Sequence, residues 1–175
     1  KPEKGEVVID RLLADTIRLR QTELTARRIR LALRLGTAGQ AMRGDRILLQ
    51  QAFINIISNA IQAMDATAPE DRSLVVESEL SATHMAIRFA DTGPGLSPDL
   101  GDRLFKAFST TKPDGMGLGL AMCRSIVMAH DGTITLADRT NARVLGGLTA
   151  CFDRPYRDAY TPQCNAAGSP EKSVR

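Results

Sequence analysis

Apolar side chains recur at helical spacing along four segments of the chain. In the first segment, Leu12, Leu13, Ile17 and Leu24 fall on one side of an amphipathic helix. The second segment opens with Asp45, whose carboxylate suits the positive end of a helix, and its many apolar residues predict a core helix. The predicted helices cover residues 7–25, 45–64, 98–107 and 117–131.

Five other segments have the features of strands. In the first of them, Arg28, Arg30 and Arg34 alternate with apolar residues at period two, which predicts a half-buried strand with its arginines facing water. The predicted strands cover residues 28–35, 74–80, 85–90, 133–137 and 145–152. Strands mixed with helices in this order indicate an α+β fold in which helices cover one face of a mixed sheet.

Two segments lack a regular period. Residues 109–115 are polar and contain proline and glycine, and they predict a mobile loop before the last helix. That helix is predicted to end at Asp131 and Gly132, with Gly132 in the left-handed conformation. Residues 154–175 are polar and contain further proline and glycine, which predicts a disordered tail or a linker.

Composition limits the class of protein. The 175 residues, 43% of them hydrophobic, allow one domain with a core, and no apolar run reaches the ~18 residues of a membrane span. The polar start, from Lys1 to Gly5, shows no signal peptide and, because it lacks Met, indicates a fragment of a longer chain. Three cysteines without metal-ligand spacing favour a reducing, cytoplasmic compartment. The net charge of +3 comes from scattered arginines and 4% of residues are aromatic, so nucleic-acid binding is not expected.

Asn55 and Asn59 lie four residues apart on the predicted core helix, and therefore on one face of it. A buried amide in an apolar helix must find hydrogen bonds. Either the pair lies on the helix surface with one amide in a structural role, or the two amides form a functional site. An amide oxygen is also a hard ligand for magnesium, which accompanies phosphate-bearing substrates.

Two glycine-rich segments follow the asparagines. Asp91 ends a predicted strand and is followed by Gly93 and Gly95. This pattern suits a simple turn. Alternatively, the carboxylate accepts a hydrogen bond from the amine of adenine, and the glycines let a ligand approach the backbone closely. Residues 115–120 place glycines ahead of a helix, whose free amide groups form an anion site. The residues just before them add hydroxyl groups and a positive charge for a terminal phosphate: Thr110, Thr111 and Lys112.

The order and spacing of these groups resemble the N box, first glycine box, F box and second glycine box of sensor histidine kinases. The boxes correspond to residues 51–60, 91–95, 104–112 and 115–120, within a resemblance that extends from about residue 12 to residue 152. It implies the Bergerat ATP-binding sandwich, a mixed β-sheet covered by helices on one face, with a mobile ATP lid over residues 96–116. It also implies a linker or helix at residues 1–25 from a missing dimerisation and phosphoacceptor domain, a catalytic domain at 26–153 and a tail at 154–175.

The resemblance implies a role for each matching residue. Asn59 is the expected magnesium ligand and Asn55 its neighbour on the phosphate side, and both are expected to be catalytic together with Lys112. Asp91 is the expected anchor of adenine, with Thr149 near the base. The contacts to ATP that the resemblance adds are Ala63, Gly93, Gly95, Phe105, Phe108, Thr110, Thr111, Lys112, Gly115, Gly117, Leu118, Gly119, Leu120 and Thr149.

The residue at position 55 separates the chemistries of this superfamily. Gyrase-type, MutL-type and heat-shock chaperone ATPases carry a glutamate four residues before the magnesium asparagine, where this chain has Asn55. Because an amide cannot act as a general base, efficient ATP hydrolysis is not expected, whereas a neutral imidazole is already a nucleophile. The chain is therefore predicted to use ATP and Mg2+ to phosphorylate a histidine. A hydrolytic ATPase and a degenerate, non-catalytic interaction module of the same fold are the alternatives.

Three features depart from the family pattern. Gln62 stands where many members have a phosphate-binding lysine, and Ala107 stands where proline is frequent. No phosphoacceptor box is present, because His84 and His130 occur in a predicted strand and at a helix end, where structural roles are expected. We therefore expect a cytoplasmic, monomeric fragment that binds ATP without phosphorylating itself. Its expected partners are the phosphoacceptor helices of the parent protein, which is expected to be a homodimer, and a response regulator that the full-length kinase contacts. The sequence leaves open whether that parent is anchored in a membrane.

Overall fold

The computed structural model describes residues 4–95, 119–137 and 146–153 of the chain. The helices are α1 (Ile9–Ala26), α2 (Arg46–Ala63) and α3 (Gly119–Ala129), and short 3-10 turns follow α2 at Met64–Ala66 and Pro69–Asp71. The strands are β1 (Gly5–Val8), β2 (Arg30–Gly36), β3 (Ala41–Gly44), β4 (Ser73–Leu80), β5 (His84–Asp91), β6 (Gly132–Ala137) and β7 (Gly146–Asp153).

The main sheet has the strand order β2-β4-β5-β7-β6. The strands β2 and β4 are parallel, whereas the other neighbouring pairs are antiparallel, so the sheet is mixed. A separate antiparallel ribbon joins β1 to β3.

One face of the main sheet carries the core. Alternate residues of β4 such as Leu74 and Val76 are buried, and the register places them beside Asp91 and Phe89 of β5. On this face, α1 contacts β2, α2 contacts β5 and α3 contacts β6. Phe53 of α2 packs near Phe89, with ring centroids 5.7 Å apart. The predicted α+β architecture, with helices over one face of a mixed sheet, is confirmed.

Helix α2 is apolar along most of its length. Asp45 caps it, because its carboxylate accepts hydrogen bonds from the amide groups of Ile47 and Leu48 at 2.9 and 3.0 Å. By length and composition alone, residues 46–66 would qualify as a membrane span. In the structure, however, the buried side of α2 joins the core that it shares with α1, α3 and β5, which accounts for its apolar composition.

Most predicted elements occur close to their predicted positions. The helices predicted at residues 7–25 and 45–64 correspond to α1 and α2, and the five predicted strands correspond to β2, β4, β5, β6 and β7. The short strands β1 and β3 were not predicted. The helix predicted at residues 98–107, the loop at 109–115 and the tail at 154–175 lie outside the described residues.

The end of α3 differs from the prediction. The left-handed residue is Asp131, with φ of 58°, rather than Gly132, which begins β6. Aspartate tolerates this conformation better than most residues with a side chain. Gly132 serves a different purpose, because a Cβ there would lie 2.6 Å from the carbonyl oxygen of Cys151 on the neighbouring strand.

The first helix was predicted as a linker or helix from a missing dimerisation and phosphoacceptor domain, and in the structure it packs onto the main sheet and α2. Its residues Leu12, Leu13 and Leu24 are buried in the core formed with α2 and the main sheet. Residues from Gly5 onward therefore belong to the same folded unit as the predicted catalytic domain, and the boundary expected after residue 25 does not separate the two.

Candidate active site

Helix α2 presents both asparagines to the first described residues of α3. The Nδ2 of Asn55 donates to the sulfur of Met122 at 3.7 Å, and its Oδ1 accepts from Nε2 of Gln51 at 3.5 Å. One turn further along α2, the Nδ2 of Asn59 lies 3.7 Å from the position that a Cβ on Gly119 would take. The structure thus brings Asn55, Asn59 and Gly119 together along one side of the site.

Asp91 ends β5 close to the C-terminal end of α2. Its Oδ1 accepts a hydrogen bond from the amide of Gly93 at 2.8 Å. A Cβ on Gly93 would lie 2.7 Å from this oxygen and 2.9 Å from the Cβ of Ala63, so a larger residue does not fit without displacement. Gly95 has φ of 82°, a left-handed conformation that favours glycine. Asp91, Gly93 and Ala63 therefore pack against one another on a second side of the site.

The carboxyl group of Asp91 is suited to meet a ligand. Burial raises its pKa, and the hydrogen bond from the amide of Gly93 offsets part of that rise. Its second oxygen, Oδ2, accepts no hydrogen bond from a described residue. A half-buried carboxylate with one oxygen still available is a suitable acceptor for a ligand amine.

Asp91→Asn is expected to raise the free energy of unfolding near neutral pH while weakening nucleotide binding. Burial favours the protonated acid in the folded state, so the ionised carboxylate costs stability above its raised pKa. As the pH falls through that pKa, the folded state takes up a proton. The cost in stability then decreases, and it disappears as the pH approaches the pKa of the unfolded state, about 3.9. The advantage of the variant should therefore shrink with falling pH. Urea unfolding of both proteins across a pH series measures it, and parallel pH profiles would contradict the assignment.

Thr149 lies on the face of the sheet opposite to the core side of Asp91. In the β5–β7 pair, Thr149 is opposite Arg88, whereas Asp91 is opposite Gly146. Side chains alternate between faces along a strand, so Thr149 shares the face on which Arg88 contacts Glu77 at 3.5 Å. The structure does not bring Thr149 to the site, and this expected adenine contact is withdrawn.

Several other expected site residues lie outside the described residues, as does the expected lid at residues 96–116. They are Phe105, Phe108, Thr110, Thr111, Lys112, Gly115, Gly117 and Leu118. Their roles stay predictions. Leu120 is described and packs, partly buried, against the core.

Met122 and Cys123 surround Asn55 and were missed from the sequence. The thiol of Cys123 is buried and donates to the carbonyl of Ala52 at 3.4 Å. Burial raises the pKa of Cys123 to about 12, so the thiol stays protonated near neutral pH. Met122 follows Gly119 by three positions and Cys123 follows it by four, which places both on the same face of α3 as Gly119. That spacing was the available signal.

Residues 44–156 match the family model described as histidine kinase-, DNA gyrase B-, and HSP90-like ATPase. One curated relative is the C4-dicarboxylate transport sensor protein DctB of Rhizobium meliloti (strain 1021). It is 35% identical over 130 residues, which are 74% of this chain and 21% of DctB. The chain thus spans about a fifth of the length of this relative.

Two solved structures share the fold. The catalytic domain of histidine kinase ThkA, in a nucleotide-free form, has a TM-score of 0.77 and 24% identity, and the match covers 87% of this chain and 98% of that one. Full-length ShkA in complex with AMPPNP has a TM-score of 0.72 and 25% identity, over 92% of this chain and 33% of that one. Because the matching family model also covers well over half of the sequence, the chain belongs to the histidine kinase-, DNA gyrase B- and HSP90-like ATPase family.

Proposed function

We propose that this chain is the ATP-binding catalytic domain of a sensor histidine kinase, which transfers the γ-phosphate of ATP to a histidine on a separate helical domain. The observation that carries this proposal is Asn55, at the position of the glutamate in hydrolytic members of the fold. Its amide lies between Gln51 and Met122 and cannot remove a proton from water. A neutral imidazole does not need such a base, so a histidine acceptor suits this site.

The names of the relatives support the kinase branch of the family. DctB is a sensor protein, ThkA is a histidine kinase, and ShkA forms a complex with AMPPNP. We accordingly assign ATP as the nucleotide and a cytoplasmic location for this domain. Within the parent protein we assign a homodimer, in which the phosphoacceptor helices receive the phosphate and a response regulator then takes it up.

Different residues of the site bind different parts of the nucleotide. Asp91 accepts a hydrogen bond from the amine of adenine, while Gly93 and Gly95 leave room for the ring. Amide groups at the start of α3, near Gly119, bind phosphate oxygens. Lys112 reaches the terminal phosphate from the expected lid.

Asn59 suits a magnesium ion. Its half-buried amide makes no hydrogen bond to a described residue, so an oxygen donor is available beside Gly119 at the phosphate end of the site. An amide oxygen is among the hard ligands that magnesium prefers. Magnesium, when bound, neutralises charge on the phosphate that is transferred. Asn59 would hold it, and Asn55 would face the phosphates next to it.

The test is calorimetric titration of this chain with a non-hydrolysable ATP analogue, with and without magnesium. We expect magnesium to tighten binding, and we expect that gain to be absent in the Asn59→Ala variant. Ser58→Ala is the matched control, because its side chain lies roughly 100° around α2 from Asn59. Absence of nucleotide binding would favour a non-catalytic interaction module, and steady release of phosphate in a separate incubation with ATP would favour a hydrolytic ATPase.

A further inference from the structure

Arg72, the residue just before β4, donates hydrogen bonds to three backbone carbonyl groups. Its Nε donates to Thr67 at 2.9 Å, its Nη1 to Arg27 at 3.0 Å and its Nη2 to Asp65 at 3.4 Å. Arg27 caps the C-terminal end of α1, and the other two residues belong to the segment that follows α2. One half-buried side chain therefore joins α1, the segment after α2 and the start of β4.

Thr67 extends this network to the loop that leaves Asp91. Its hydroxyl donates to the carbonyl of Thr92, the residue after Asp91, at 2.9 Å. The hydroxyl of Thr92 in turn donates to the carbonyl of Asp71 at 2.8 Å and accepts from the amide of Ser73 at 2.9 Å. Residues 67–73 thus hold Thr92 by both its side chain and its backbone.

The position of Thr92 determines the positions of its two neighbours. The hydrogen bond from the amide of Gly93 to Oδ1 of Asp91 closes a turn around Thr92. Gly93 also packs against Ala63 without room for a Cβ. Because close-packed groups transmit displacements, a shift of Thr92 also redirects the carboxylate of Asp91.

We propose that Arg72 is a positioning residue for the adenine side of the site, acting through Thr67 and Thr92 on Asp91. The proposal rests on the proposed function, in which Asp91 accepts a hydrogen bond from the amine of adenine. Arg72 itself does not touch the nucleotide. Its planar guanidinium donates in several fixed directions, which a single ammonium group cannot reproduce.

The phosphate side of the site is built from other elements. Asn55 and Asn59 lie on α2 and face the start of α3, whereas the hydrogen bonds from Arg72 reach residues after α2 and at the end of α1. Loss of Arg72 should therefore disturb recognition of the base and leave the contacts to magnesium and phosphate in place. This difference separates a positioning role from a general contribution to the fold.

The experiment compares binding of ATP with binding of inosine triphosphate, whose base has a carbonyl in place of the amine. We expect the unaltered chain, in the presence of magnesium, to prefer ATP. Arg72→Ala is expected to weaken ATP binding about tenfold and to change binding of inosine triphosphate less than about twofold. Thr67→Val removes the hydrogen bond to Thr92 but keeps the side-chain shape, and we expect about a fivefold loss for ATP.

Two further variants serve as controls. Arg88→Ala removes an arginine from the opposite face of the sheet, where it contacts Glu77, and should leave the preference for ATP unchanged. Arg72→Lys keeps the positive charge without the planar fork and should recover a part of the ATP affinity that Arg72→Ala loses.

Equal weakening of ATP and inosine triphosphate in the Arg72→Ala and Thr67→Val variants would overturn the proposal, because it would indicate a general structural role. Unchanged affinity for ATP in both variants would overturn it as well. If Arg72→Ala does not fold, the comparison of the two nucleotides with Thr67→Val decides. Failure of the unaltered chain to bind ATP is a separate result, seen before any substitution, and it would overturn the proposed function together with this inference.

Discussion

Replacing Gly93 with alanine is expected to weaken ATP binding about a hundredfold. A Cβ at this position would lie 2.7 Å from Oδ1 of Asp91 and 2.9 Å from the Cβ of Ala63. Because Ala63 belongs to the packed helix α2, the loop must move, at a strain of roughly 1–3 kcal/mol. Movement of the loop also misdirects Asp91, whose proposed charged hydrogen bond to adenine is expected to contribute about 1.5–3 kcal/mol. Calorimetric titration measures the affinity, and thermal unfolding should show the strain as a lower Tm.

Gly5→Ala is the control for this prediction. No atom lies within 4 Å of a Cβ at position 5, and its φ lies outside the left-handed range, so neither binding nor Tm should change. If Gly93→Ala bound ATP as tightly as the unaltered chain, the turn after β5 could not be the base pocket.

The helices and strands that carry the candidate site were predictable, because the hydrophobic periodicity and capping residues of each segment agree with the way that segment is buried in the fold. Helix α2 has both an apolar face that it buries and an acidic cap at Asp45, so periodicity and capping point to the same segment. Strands β4 and β5 alternate buried and exposed residues along a sheet that is covered on one face. The positions of Asn55, Asn59 and Asp91 follow directly from these elements.

The parts that were not predictable depend on contacts between distant segments. The strands β1 and β3 have four residues each, too few for a period, and they exist because they pair with each other from Gly5 opposite Gly44 to Val8 opposite Ala41. The role of Thr149 depended on the register of β7, in which a shift of one residue exchanges the two faces of the sheet.

The hydrogen bonds of Arg72 gave no signal in the sequence either. They end on backbone carbonyl groups, which every residue carries, and their positions depend on how the chain travels after α1 and α2. Side chains that contact one another at regular spacing produce a pattern in the sequence. A side chain that donates hydrogen bonds to carbonyl groups of separate turns produces none.

His130→Ala is expected to lower the free energy of unfolding by about 3 kcal/mol. The buried ring joins the end of α3 to the start of α2, because its Nδ1 donates to the carbonyl of Ile126 at 2.7 Å and its Nε2 accepts from the amide of Asp45 at 2.8 Å. Alanine leaves both backbone groups without these partners, at about 1–3 kcal/mol each. It also empties the space beside Gly44, where the ring approaches the position of a Cβ to 2.9 Å. Urea unfolding followed by circular dichroism measures the change.

The other histidine provides the control. His84 lies at the turn between β4 and β5, where its ring contacts Ser81 and Thr83, and His84→Ala should cost about 1 kcal/mol or less. His130 is also far from the candidate site, since Asn59 lies roughly 20 Å further along α2. At a temperature where His130→Ala remains folded, its affinity for ATP should therefore stay within about twofold of the unaltered chain. A loss no larger than that of His84→Ala would contradict the bridging role, and a selective loss of ATP affinity in the folded variant would show that the two ends of α2 are coupled.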